Sequence, residues 1–379
     1  MPEYRIARAD EEREILDFSN MVFAMSSGPI DFAKLYPAIY GRSGFADLHI
    51  IARDNQGHLV SSIAVKPMQL KLGGNESLSV GYLGTVATHP RERGKGYMKR
   101  LMQLNIERAR KAGMDLLALG GQRQRYNHYG FESCAPVISF SLNAANLRDL
   151  GNNTEYRILP FSKADESMVD TAYQLYQGLE MAASRNREDF CDILLTGGGT
   201  PYLVLKKDQV LGYLYACGHD IYEFACVEGT DLQQLCKCWL SLRGCGEFGF
   251  TVPMHQKNAI RALGEIAESW SLHDDMMAHV LNWPTVLEKL MNHKAKHQPL
   301  RDGEAVIEIK GAALLRLTVR QNKAVVQELK EADDRVNVSL TELEAVRRFL
   351  SPFAGLQERE DSLYGWFPLM FSIPRPDWF

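Results

Sequence analysis

No apolar run in this 379-residue chain reaches the roughly 20 residues that a membrane helix needs. The start, Met1-Pro2-Glu3-Tyr4-Arg5, has no apolar core of the kind a secretory signal carries. Excess charge is scarce too: 43 Lys and Arg stand against 47 Asp and Glu, a net charge of −4. Such a balance excludes a general basic surface for nucleic acid. The seven cysteines are odd in number, and Cys236-x-Cys238 has the wrong spacing for a zinc or redox pair. They are expected to be reduced core thiols in a cytoplasmic protein, with no metal. Also missing are the Gly-Lys-Ser/Thr closure of a phosphate loop and the three spaced glycines plus acidic ribose partner of a dinucleotide fold.

What is present begins with ordinary globular composition, 45% hydrophobic and 24% charged, over a length suited to two or three domains. The most informative stretch runs from Ser79 to Phe131. An apolar β-prone run, Val80 to Ala87, ends at Thr88-His89-Pro90. The turn Arg91-Glu92-Arg93-Gly94-Lys95-Gly96 follows. Met98, Leu101, Met102, Ile106 and Ala109 then repeat every three or four residues, as on one face of a helix. A strand feeding a basic glycine turn and then a helix presents unpaired N–H groups at the positive end of the helix dipole, where phosphate oxygens bind. After Gly113 come the short strand Met114 to Leu119, the turn Gly120-Gly121-Gln122, and the loop Tyr126-Asn127-His128-Tyr129-Gly130-Phe131.

These segments resemble the GNAT superfamily of N-acetyltransferases. Val86-Ala87-Thr88 and the Arg-x-x-Gly-x-Gly/Ala turn match its acetyl-CoA segment, completely as Arg91-x-x-Gly94-x-Gly96 and, from Arg93 and Gly96, with Met98 in place of the last small residue. That leaves either Arg91 or Arg93 as the leading arginine. The resemblance implies acetyl-CoA bound by Val86, Ala87, Thr88, Arg93, Gly94, Lys95, Gly96, Tyr97, Met98, Gly121 and Gln122. It also implies that Tyr126, from the family's Tyr-x-x-x-Gly-Phe loop, protonates the departing CoA thiolate.

The rest of the chain repeats the element order. Strands near 202–206, 210–216 and 221–227, a helix at 231–242 and a strand at 248–252 form a second unit. Its turn, Glu228-Gly229-Thr230-Asp231, is acidic and would repel a diphosphate. Strands at 305–310, 312–321 and 323–328, then a helix capped by Thr341 with Glu344 in the capping-box position, resemble a sterol-carrier-protein module. The expected class is mixed α/β: GNAT units at 1–150 and 151–290, the second degenerate, then a sterol-carrier-like unit at 291–379. The polar stretch 146–153 is the expected first boundary.

This order is similar to the Eis (enhanced intracellular survival) acetyltransferases. That resemblance implies a homo-oligomer, with a hexamer as the family's pattern, and an acid-lined site for cationic amines such as polyamines or aminoglycosides. It further implies that the α-carboxylate of the last residue, Phe379, is the catalytic base. Asp31, Asp47 and Asp377 are the expected acidic wall. Two alternatives stand beside this one: a protein lysine acetyltransferase, and an inert CoA- or lipid-binding regulator.

Overall fold

β-prone runs from the first 280 residues collect into one thirteen-stranded sheet. The computed structural model describes residues 2–148, 150, 155–331, 336–353, 363 and 365–379. The expected boundary at 146–153 lies partly outside them.

The first repeat contributes β1 (Glu3–Ile6), β2 (His49–Arg53), β3 (Leu59–Leu72), β4 (Ser77–Thr88), β5 (Leu116–Leu119) and β6 (Glu132–Asn143). Its helices are α1 (Glu12–Ser27), the single turns α2 (Phe32–Leu35) and α3 (Pro37–Tyr40), α4 (Tyr97–Lys111) and α5 (Arg123–Tyr126). α4 buries Leu101, Met102 and Ala109 on the expected face. The second repeat supplies β7 (Tyr156–Pro160), α6 (Glu166–Gln177), β8 (Met181–Ala183), α7 (Arg187–Ile193), β9 (Thr200–Lys206), β10 (Gln209–Cys217) and β11 (Asp220–Cys226). It continues with α8 (Leu232–Arg243), β12 (Glu247–Pro253), α9 (Lys257–Gly264) and β13 (Ser269–Val280).

The strand order is β1-β2-β3-β4-β5-β13-β6-β12-β11-β10-β9-β7, with β8 added to β3. In each repeat a three-strand antiparallel meander meets one parallel partner across a helix: β4 with β5 around α4, and β11 with β12 around α8. The last strands are exchanged. β13 lies between β5 and β6, and β6 pairs on its other side with β12. The two repeats therefore share one backbone ladder.

α10 (Trp283–His297) leads to a separate four-stranded sheet of β14 (Gly303–Ile309), β15 (Ala313–Arg320), β16 (Lys323–Glu328) and β17 (Val338–Leu340), in the order β16-β15-β14-β17. α11 (Glu342–Leu350) follows, with Thr341 and Glu344 closing the expected capping box. One apolar core joins Ile15 and Phe18 of α1 to Leu287 of α10, Ile307 of β14 and Phe349 of α11. That continuity brings the C-terminal tail back to the first repeat.

Candidate active site

Ladder pairing between β4 and β5 ends at Tyr82 and Ala118, although β4 runs on to Thr88. The strands part there, and two spaces open around the exposed end of β4.

The first is a groove of about 590 Å³ lined by Val86 and Thr88 of β4, Arg93, Gly94 and Gly96 of the turn, Tyr97 and Met98 of α4, and Arg125 and Tyr129 beyond. Gly94 and Gly96 have φ of +80° and +85°, a backbone that side chains rarely adopt, with open space where a Cβ would stand. Glycine is needed here for the fold of the turn. Gly96 begins α4 without any side-chain cap, so the first N–H groups of the helix face the groove unclaimed. The corresponding helix of the second repeat is closed: the Asp231 carboxylate accepts from the N–H groups of Gln233 and Gln234. The first helix start is thus open to an anion, and the second is closed by a carboxylate of its own.

Arg93 lines the groove, whereas Arg91 is not among its walls. Four residues expected to bind cofactor lie elsewhere. Ala87 points into the core between Val86 and Thr88, as strand alternation requires. Lys95 is paired with both oxygens of Glu92 at 2.9 Å. Gly121 borders the second cavity, and Gln122 uses its carbonyl to accept from the N–H groups of Arg125 and Tyr126 at the start of α5.

Thr85 is the hinge between the two spaces. Ala64 opposes Gly84 and Ser62 opposes Ala87, so Thr85 and Val86 together face Ile63 as a β-bulge. Thr85 sits at φ +47°, a conformation costly for a β-branched residue. A buried chain holds it: the Tyr40 hydroxyl is 2.6 Å from Thr85 Oγ1 and 3.2 Å from His49 Nε2, and His49 Nδ1 is 2.8 Å from Ser62 Oγ. Burial keeps His49 neutral, with its pKa lowered to about 3.

The second cavity, about 430 Å³, is lined by Tyr36, Tyr82, Gly120, Gly121, Tyr215, Tyr222, Arg375, Trp378 and Phe379, among others. Here the chain end returns. Trp378 stacks on Tyr82 with centroids 5.8 Å apart, and the Phe379 ring lies 6.0 Å from Tyr82 and 6.4 Å from Tyr40. Gly84 is glycine because a Cβ there would collide with the terminal carboxylate of Phe379. The tail is anchored two residues earlier. Asp377 accepts from Arg185 Nη2 at 2.7 Å, and Arg185 also binds Glu223 at 2.8 and 2.6 Å, with all three side chains buried. The Tyr213 hydroxyl donates to Glu223 at 2.6 Å.

Asp377 therefore does not reach this cavity, because Arg185 holds its carboxylate. Asp31 caps α2, accepting from the N–H groups of Ala33 and Lys34, and Asp47 is exposed with Arg108 bonded to its carbonyl oxygen. None of the three lines this cavity. The acidic wall is replaced by aromatic rings and one arginine.

Tyr126 is buried beneath Gly121, where a Cβ would come within 2.8 Å of its ring. Its flanking residues open onto both spaces: Gly121 onto the cavity, Arg125 and Tyr129 onto the groove. Burial raises the Tyr126 pKa, and the neighbouring Arg125 opposes that shift.

Among the described residues one group of metal-type ligands meets: Glu180, His293 and His297, with ligand atoms within 4.8 Å of one another. His293 Nδ1 lies 3.0 Å from the Leu72 carbonyl oxygen and His297 Nε2 3.0 Å from Glu180, while the buried His293 Nε2 has no hydrogen-bond partner. Positions as far apart as 180 and 297 escape any spacing rule.

Residues 3–134 match the family model of the acetyltransferase (GNAT) domain, about a third of the chain. Within that segment the chain carries a GNAT acetyltransferase domain, of the class that works on acyl-CoA. Over its whole length the fold is shared with solved N-acetyltransferases. Eis1 from Mycobacterium abscessus is similar over 100% of this chain and 99% of its own, with TM-score 0.67 and 12% identity. GCN5-related N-acetyltransferases from Anabaena variabilis (TM-score 0.71, 15% identity, 100% of each chain) and Kribbella flavida (0.70, 15%, 100% and 98%) share the same full-length fold. No curated protein sequence matches the chain.

Proposed function

We propose that this protein transfers acetyl from acetyl-CoA directly to an amine, with Tyr126 as general acid and the Phe379 carboxylate as base. The meeting of Gly84 and the Phe379 carboxylate at the mouth of the parted strands carries this reading.

The N–H groups that open α4, with Gly94, Gly96 and Arg93, would hold the diphosphate. The Thr85 bulge re-aims the neighbouring backbone, so an N–H of Val86 can polarise the thioester carbonyl. The acceptor lone pair forms the C–N bond, the C–S bond breaks, and sulfur leaves as a thiolate. Tyr126 supplies its proton. With reference pKa values of about 10 and 8.5 that transfer is uphill by at least roughly 2 kcal/mol, and burial of Tyr126 adds to it, a cost set against the gain from holding the reactants together. Phe379 collects the ammonium proton, directly or through water. A terminal carboxylate, pKa about 3.3–3.7, is a weak base whose anion also attracts the cationic amine.

Within this reading the second unit (151–290) anchors the tail, and the C-terminal unit (291–379) delivers it. A sterol-carrier-like ancestry for the last unit gives it a structural role. A homo-oligomer is proposed on resemblance alone. The retained Tyr126, which CoA binding alone does not need, favours an enzyme over an inert regulator, and the compact, ring-lined cavity favours small amines over a peptide groove. Mass spectrometry after incubation with acetyl-CoA and a panel of diamines, aminoglycosides, arylalkylamines and lysine peptides tests the proposal. A single N-acetylated product is expected; tight CoA binding with no product from any amine would overturn it.

A further inference from the structure

Arg375 is the feature of the acceptor cavity that general amine chemistry does not use. Among the charged side chains that line this cavity it stands alone, in a wall otherwise made of Tyr36, Tyr82, Tyr215, Tyr222, Trp378 and Phe379. Its guanidinium lies 4.0 Å over the Trp378 ring and 5.6 Å over Tyr222, which fixes its plane. The nearest carboxylate, Asp275, is 3.8 Å away, beyond hydrogen-bond length, and burial raises the Asp275 pKa. Arg375 and Asp275 both line the neighbouring small cavity, and of the two only Arg375 also lines this one. Arg375 thus presents an oriented fork whose donors are directed to no side chain at hydrogen-bond distance among the described residues. A polyamine or aminoglycoside would bring several ammonium groups against this fixed cation, in a cavity where, among the described lining residues, the Phe379 carboxylate is the single anion. A flat ring suits the aromatic walls, and a carboxylate suits the fork.

Resting on the acetyl-transfer reading, we infer that the acceptor is an amine carried on a flat apolar frame together with a carboxylate, which Arg375 binds while the ring lies among Tyr36, Tyr222 and Trp378. Arg375 is then the residue that selects for the anionic group, and polycations are disfavoured.

The test uses matched pairs that differ only in the carboxylate: tryptophan and tryptamine, tyrosine and tyramine, phenylalanine and phenethylamine, with spermidine for comparison. Values of kcat/KM are measured for the full chain and for Arg375→Gln. The native protein is expected to prefer the carboxylated member, and the substitution to reduce that preference by about tenfold to a hundredfold, the worth of a charge-assisted hydrogen bond. General damage to the tail would slow both members alike and leave the ratio untouched. Calorimetry of the same amines with the CoA-loaded protein reads the discrimination without turnover. Arg375-dependent binding without acetylation would overturn the acetyl-transfer reading and sustain this one. Acetylation that favours spermidine or the decarboxylated amines, an unchanged ratio in Arg375→Gln, or no binding of any carboxylated amine would overturn the inference.

Discussion

Single residues decide the chemistry, and they differ in how openly the sequence displays them. Tyr126 is visible because its loop has fixed spacing to a Gly-Phe pair; Phe379 is visible only through resemblance, since a terminal carboxylate has no side-chain identity. Thr85 and His49 are hidden, because a bulge depends on the register of β3 against β4 and a buried histidine reads like any strand residue. Asp377 misleads, since its neighbour in sequence is the chain end but its partner, Arg185, is 192 positions away. Replacing Tyr126 by Phe should lower kcat at least tenfold with little change in acetyl-CoA affinity; unaltered turnover would remove it as the acid. Burial also sets a pH dependence. The pKa of His49 and of His255 is lowered to about 3, and that of His279 to about 4, from 6.5. Below pH 6.5 the unfolded chain takes up protons that the folded one refuses. Stability is therefore full above 6.5 and lost as pH falls toward 3, by about 2 kcal/mol per such histidine at pH 5. A melting temperature that is flat from pH 7.5 to 5 would contradict this.

At the scale of elements, period and turn chemistry made the core of the first repeat legible. The glycine turn and α4 fall where the apolar spacing and the breaker residues put them. β13 does not: Trp270 and Leu272 in its first half are exposed, so no alternation marks it. It is a strand because β5 and β6 pair with it on either side, a tertiary cause that a local pattern cannot carry. The same logic separates the two helix starts. Side chains are scarcely tolerated at the φ of Gly96, so Gly96→Ala should cost about 1–2 kcal/mol and weaken acetyl-CoA binding. Urea denaturation and calorimetry measure the two effects, and undiminished affinity would remove this turn as the diphosphate cradle.

Across the whole molecule, the second repeat has lost an open helix start and gained an anchorage. Arg185, Glu223 and Asp377, all buried, join it to the tail, and removing one member leaves buried charge unpaired. Arg185→Met should destabilise by about 3–5 kcal/mol and lower kcat more than acetyl-CoA affinity; equal losses in both would reduce the triad to a merely structural clamp. No helix is long and apolar enough to cross a membrane among the described residues. The account as a whole predicts that a protein bearing two or three extra residues after Phe379, with unchanged melting temperature and CoA binding, loses at least a hundredfold in kcat, because the carboxylate no longer meets Gly84. An extended protein that turns over at the native rate would contradict it.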